Sequence, residues 1–180
     1  MMEVVMLWRE WLTKLFVVAA VIAFVVTAVF AQTSVSVAPA TKNVLPGTSF
    51  SLTFSVALVP PIHGYHLDVD YDNTILQYNG ASSGTFLTPF LWLPSPNGPH
   101  TIYVATALAG SGTSVSGSGT LFTMQFTAIG AGVSPITLTT VELRKPDNSG
   151  NITPVTINSG SVTVGNPNDV FVDQTYSSGS

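Results

Sequence analysis

Gly64-Tyr65-His66-Leu67-Asp68-Val69-Asp70-Tyr71-Asp72-Asn73-Thr74-Ile75-Leu76 is the stretch that decides the fold. Tyr65, Leu67, Val69 and Tyr71 alternate with His66, Asp68, Asp70 and Asp72. Side chains on a strand point to opposite faces with period two, so this pattern makes one apolar face and one acidic face, as in a half-buried strand. Asp72-Asn73-Thr74 then offers side-chain oxygens to the local backbone and reverses the chain, and Ile75-Leu76 restarts the apolar pattern.

The same logic extends outward in both directions. Val35 and Val37 alternate with serine, Pro39 ends that strand, and Pro46-Gly47 turns into the next. There Phe50, Leu52, Phe54, Val56 and Leu58 oppose Ser49, Ser51, Thr53, Ser55 and Ala57, an alternation long enough to fix register. Pro60-Pro61 is expected to stop it, because proline donates nothing to a ladder. Residues 76–78 continue as a short strand, and residues 80–84 read as a flexible break. The Phe86 to Pro94 segment is too apolar for an ordinary loop and too proline-broken for a central strand.

Residues 101–107 read as a strand and residues 110–119 as a Gly/Ser loop whose one large apolar residue is Val115. Phe122, Met124, Phe126 and Ala128 alternate with Leu121, Thr123, Gln125 and Thr127, which predicts a strand with the second set outward. A turn at residues 130–132 leads into residues 136–143, another at residues 145–151 follows, and residues 154–164 hold the last strands. With eight or nine strands, Gly/Pro turns between them and no helical periodicity past residue 31, the chain is expected to be all-β. The specific expectation is an antiparallel jelly-roll or Greek-key β-sandwich of about nine strands.

In the N-terminal segment, residues 15–31 are apolar except for Thr27, and Val29-Phe30-Ala31 suits a signal peptidase. The run is short for a hydrocarbon core that needs about 20 residues. Residues 1–31 therefore read as a signal peptide cleaved after Ala31, the alternative being an uncleaved membrane anchor. Both readings put the remainder outside the cell. Residues 32–165 form the domain, and residues 166–180, rich in Asn, Pro, Asp and Ser, a flexible tail.

Composition excludes several functions. Past residue 31 the only cations are Lys42, Arg144 and Lys145, against seven carboxylates, so no basic stripe exists to hold nucleic acid. The chain has no cysteine, which removes disulfides, thiolate chemistry and a lipid anchor on cysteine. Asp68, Asp70 and Asp72 have the spacing that opens a calcium loop. The Gly and Glu that an EF-hand needs at its sixth and twelfth positions are Asn73 and Asn79 here, so no metal site is assigned. A solvated sheet face that discourages edge pairing is the preferred reading of these acidic residues. His63, His66 and His100 stand in no nucleophile motif, there is no G-x-S-x-G elbow, and alternating surface aspartates do not supply a buried acid. The chain reads as a non-enzyme. Asn151-Ile152-Thr153 is a glycosylation sequon without functional weight.

From about Ser34 to Val164 the order of motifs resembles the cohesin family: L-P-G-T-S-F-S-L-T-F-S-V, then G-Y-H-L-D-V-D-Y-D-N-T-I-L-Q-Y, G-S-G-T-L-F-T-M-Q-F-T-A, S-P-I-T-L-T-T-V-E-L and the closing N-S-G-S-V-T-V. The most specific pieces are Tyr71-Asp72 followed by Ile75-Leu76, Gly119-Thr120-Leu121, and Gly160 to Val164. The resemblance implies a nine-stranded jelly roll, related in fold to carbohydrate-binding modules, that grips a calcium-loaded dockerin. It implies no cofactor in this chain, calcium being carried by the dockerin.

The implied partner-binding set is Gly64, His66, Asp68, Asp70, Val104, Thr106 and Ala109. Gly64 and His66 stand where many cellulosomal cohesins carry Asn and Asp, and Ala109 corresponds to a common Glu, so those polar anchors are not carried over.

The leading expectation is thus a secreted, non-catalytic module for protein recognition in a polysaccharide-degrading or surface-assembly system. The alternatives are a carbohydrate-binding module using Trp92 with Tyr78 or Tyr103, whose bland reading is a plug at one end of the sandwich, and a filament or surface-layer subunit. In the last, the Asp169 to Val172 tail adds a strand to a neighbour. A polysaccharide partner belongs to the carbohydrate reading, and a membrane contact only to an uncleaved N-terminal segment.

Overall fold

A computed structural model of the chain describes residues 32–88, 91–110 and 112–166. The expectations for residues 1–31 and for the Asp169 to Val172 tail lie outside them. Among the described residues there is no helix. Eleven strands follow in order: β1 (Ser34–Ala38), β2 (Thr41–Val44), β3 (Ser49–Ile62), β4 (Gly64–Asp70), β5 (Leu76–Ser83), β6 (Leu91–Pro96), β7 (Thr101–Ala107), β8 (Val115–Ala128), β9 (Gly132–Arg144), β10 (Thr156–Asn158) and β11 (Gly160–Val164).

They form two sheets, ordered β10-β1-β3-β8-β5 and β2-β11-β9-β4-β7-β6. The apolar halves of the alternating strands face each other between them. Phe54 of β3 stacks on its β8 neighbour Phe122 with ring centroids 4.5 Å apart. Phe122 then meets Tyr65 of β4 at 6.1 Å and Trp92 of β6 at 6.2 Å, both from the opposite sheet. Two inward positions along β8, Phe126 meets Tyr71, just past β4, at 5.3 Å and its β5 cross-strand neighbour Tyr78 at 5.9 Å. Tyr65 is fully enclosed, and burial pushes its phenol pKa up. Its hydroxyl is satisfied by the Leu121 carbonyl at 2.9 Å.

The alternation predicts the inward residues of β1, β4 and the first half of β3 as found, since Val35, Val37, Phe50, Leu52, Phe54, Val56, Tyr65, Leu67 and Val69 are all buried. Several expectations are corrected. The sheets are mixed: β1 pairs with β10, and β2 with β11, in parallel. Residues 34–44 change sheet at Pro39-Ala40, so their two halves take successive C-terminal segments as parallel neighbours, and no local signal marks such long-range pairing. There are eleven strands because β2, β6 and β10, short or polar or proline-bearing, lie at sheet edges where weak strand formers are accepted.

β3 does not stop at Pro60-Pro61 but runs to Ile62 through two register shifts. Leu58, expected inward, sits at φ 55° with 53% exposure, and Val59 and Ile62 take the core positions instead. Such a kink re-aims the side chains that follow it. Leu121, expected outward, is buried: Ser55 pairs with Thr120 and Phe54 with Phe122, which leaves Leu121 as the extra residue of a bulge. Residues 80–83 belong to β5, and Val115 begins β8, where a flexible break and a loop were expected.

Candidate functional site

Three antiparallel pairings put the outward residues of β6, β7, β4 and β9 in rows across the six-stranded sheet. Leu91, Ala107, Gly64 and Arg144 form the first, and Leu93, Ala105, His66 and Glu142 the second. Ser95, Tyr103, Asp68 and Thr140 form the third. Thr101, Asp70 and Thr137 close the series. A bulge between Asp68 and Val69 spaces the last two rows on the β9 side.

His66 is the centre of this face. Its Nε2 lies 3.1 Å from Asp68 Oδ1 and its Nδ1 3.6 Å from Glu142 Oε2. Its ring rests 4.5 Å from that of Tyr103. Arg144 donates to Glu142 Oε2 at 2.8 Å, and the Thr101 hydroxyl donates to Asp70 Oδ1 at 2.6 Å. With histidine neutral, the face carries Asp68, Asp70 and Glu142 against one cation, Arg144, so its field is negative. On the β6 side the surface is apolar, with Leu91 47% and Leu93 44% exposed. No three His, Cys, Asp or Glu residues among those described are grouped to hold a metal ion.

Asp70 also borders an open groove of about 320 Å³ at the end of β4, lined by Tyr71, Asp72, Asn73, His100, Pro135 and Thr137 as well. Asp72 Oδ1 accepts from the Thr74 N–H at 2.8 Å and from its hydroxyl at 2.6 Å. Those bonds hold the Asp72 carboxyl below the usual range. This is the side-chain turn expected of Asp72-Asn73-Thr74.

The residues expected to bind a partner divide into four groups. His66, Asp68 and Asp70 lie together on the outer face, half-exposed. Val104 and Thr106 point into the sandwich and are buried, the Thr106 hydroxyl donating to the Leu91 carbonyl at 2.7 Å, so neither is on that face. Gly64 falls in the first row by register but is buried and has no side chain, and a Cβ there would meet the Thr106 carbonyl oxygen at 2.5 Å. Ala109 lies in the loop after β7, where its carbonyl accepts from Thr113 Oγ1.

Trp92, Tyr78 and Tyr103 are not brought together. Trp92 packs inward on Phe122, Tyr78 sits in the five-stranded sheet against its cross-strand neighbour Phe126, and Tyr103 is on the outer face of the six-stranded sheet. Ala105, Ala107, Glu142, Leu91 and Leu93 were missed. Period-two counting from Tyr103 along β7 reaches Ala105 and Ala107, whereas Glu142 and the leucines need the strand order.

The Cohesin domain family model matches residues 33–164. A non-cellulosomal cohesin from the hyperthermophilic archaeon Archaeoglobus fulgidus is similar in structure, with a TM-score of 0.63 at 18% identity over 74% of this chain and 91% of that one. CaCohA2 from Clostridium acetobutylicum gives 0.63 at 18% identity over 74% and 91%. The Coh-OlpA-Doc918 complex from Clostridium thermocellum, a type I cohesin–dockerin complex, gives 0.64 at 14% identity over 74% and 99%. No curated protein sequence matches the chain. With a family model spanning β1 to β11 and solved cohesins sharing the sandwich, the chain belongs to the cohesin domain family.

Proposed function

We propose that the chain is a secreted, non-catalytic recognition module that binds a dockerin-type protein partner on the outer face of β9, β4, β7 and β6. Its setting is an extracellular polysaccharide-degrading or surface-assembly system. The observation that carries the reading is the cohesin match over residues 33–164, on a sandwich whose exposed sheet face centres on the His66, Asp68 and Glu142 contacts. A folded surface with ordered charges beside exposed leucines suits macromolecular recognition, in which a polar rim orients the partner and apolar contacts hold it. Cofactor chemistry has no part in this reading, and calcium belongs to the dockerin.

Residues 1–31 are read as the export signal, residues 32–165 as the recognition domain and residues 166–180 as a tail. Mass spectrometry of the exported protein should show an N-terminus at Gln32, and an intact residue 1 would make the segment an anchor.

Calorimetric titration of calcium-loaded dockerins into the full chain tests the function, with Doc918 of the Clostridium thermocellum complex among them. Saturable binding that chelation abolishes is the expected result. Absence of binding across the set would remove the dockerin partner.

A further inference from the structure

Two open sheets leave four edge strands, and three of them are protected. β10 has only three residues, β2 has four with Lys42 among them, and β6 carries Pro94 and Pro96, which have no N–H to offer. β5 is the exception. It runs for eight residues, Leu76–Ser83, without a proline or a charge, and β8 is its one paired neighbour among the described residues.

The direction of its backbone groups follows from the bonds at its two ends. The Ile75 carbonyl accepts from the Ile129 N–H, and the Gly84 N–H donates to the Leu121 carbonyl. Counting by twos from each end, Gln77, Gly80 and Ser82 turn their backbone groups to β8. Tyr78, Ala81 and Ser83 turn theirs outward, an open row on which another strand can pair.

The side chains say which strand that is. Leu76, Tyr78, Ala81 and Ser83 stand opposite the buried Ala128, Phe126, Met124 and Phe122, whereas Gln77, Gly80 and Ser82 stand opposite the outward Thr127, Gln125 and Thr123. Asn79, the extra residue of a bulge, also faces out, where its amide donates to Thr127 Oγ1 at 2.7 Å. The order is in, out, in, out, out, in, out, in, which reads the same from either end. A second β5 laid antiparallel about an axis between Asn79 and Gly80 sets Tyr78 against Ala81 of the other copy, residues whose backbone groups are open. It also sets Gln77 against Ser82 on the outer face. An unbulged strand paired about such an axis would oppose inward with outward side chains, and the bulge removes that conflict.

Charge favours the same occupant. None of the five strands of this sheet contains Asp, Glu, Lys or Arg, so two copies meet along it without like charges. The charged strand residues lie in the other sheet, on β2, β4 and β9.

We propose that two copies of this chain associate through β5, antiparallel about Asn79-Gly80, joining their five-stranded sheets into one continuous sheet. The inference is independent of the dockerin reading and uses none of the residues of that face. Edge pairing alone buries little area, so the dimer is weak and forms at high micromolar concentration.

The chain has no cysteine, so single introduced cysteines report the register. Gln77 and Ser82 are exposed, and across the axis they form a non-hydrogen-bonded pair with Cα atoms about 4.5 Å apart, within disulfide reach. Either residue and its own counterpart in the second copy are five positions or about 17 Å apart along the strands, out of reach. Under mild oxidation, a mixture of Q77C and S82C full chains should give the mixed disulfide by peptide mass spectrometry, and each variant alone should stay unlinked. In sedimentation of the exported protein, Q77K/S82K sets lysine against lysine and should weaken association about fivefold or more, while Q77K/S82E should restore it.

Like-with-like disulfides as abundant as the mixed one, no disulfide at millimolar chain, or equal association of the two charge variants would overturn the proposal. Loss of the mixed disulfide on deleting residues 167–180 would also overturn it, giving the β5 edge to the tail.

Discussion

The Tyr65 hydroxyl donates a 2.9 Å hydrogen bond to the Leu121 carbonyl, so β4 of one sheet is tied to the bulge of β8 in the other. The Gly84 N–H bonds the same carbonyl at 2.8 Å. Tyr65→Phe therefore removes one bond without orphaning the acceptor and should cost about 1 kcal/mol in urea unfolding. Burial raises the Tyr65 pKa in the folded state above its unfolded value near 10. Its contribution is whole below about pH 10 and is lost as the unfolded phenol ionises above that. Alkaline loss of stability should be shallower in Tyr65→Phe than in the wild type.

Phe122 touches Phe54, Tyr65 and Trp92 and has no exposed surface. Phe122→Ala should destabilise by about 3–5 kcal/mol, through lost burial and a cavity between the sheets. A denaturant midpoint near that of the wild type would mean that these rings do not hold the sheets together.

Leu58 is the contrasting case. Its φ of 55° and its exposure mean that glycine fits the backbone better and gives up little packing. Leu58→Gly should leave stability within about 1 kcal/mol of the wild type, whereas a leucine truncated in the core costs several times more. A large loss on thermal unfolding would place its side chain in the core after all.

Gly64 is fixed by its neighbour rather than by its φ. A Cβ would lie 2.5 Å from the Thr106 carbonyl oxygen, a backbone atom that moves only if β7 moves. Gly64→Asn should therefore cost about 1–3 kcal/mol through overpacking. The close approach of β7 and the asparagine that the resemblance would put at this position exclude each other, and a stable Gly64→Asn variant would contradict that.

Asp72 gives a test at acid pH. Its pKa is depressed by the Thr74 hydrogen bonds, so the stability it adds is present above the unfolded value near 4 and lost as pH falls through the lower folded value. Asp72→Asn should flatten the acid limb of the stability–pH curve below about pH 4 and leave the alkaline limb unchanged. An unaltered acid limb would show that the turn bonds do not bias the carboxyl.

What the sequence made legible follows from period two. Phe50, Leu52, Phe54, Tyr65, Leu67 and Val69 are found inside because alternation alone decides the face where no bulge intervenes. Reading fails where a bulge shifts the count, as at Leu58 and Leu121, and where pairing is remote, as between β2 and β11. For the site, His66, Asp68 and Asp70 were readable on one strand. The resemblance puts Val104 and Thr106 in the binding set, but they alternate with Tyr103 and are buried on the core side. Leu91, Leu93 and Glu142 enter the face only through the order of strands in the sheet, which no local pattern encodes.

β2 has one partner in its sheet, β11, with Thr41 opposite Ser161. In a chain made from its N-terminus, the second strand of the domain must wait for the last before any ladder can hold it. Closure of the six-stranded sheet is thus a late event, set by loop entropy across nearly the whole domain. A ribosome-bound or truncated chain ending before residue 156 would keep residues 41–44 open to proteases while β3 and β8 are already zipped.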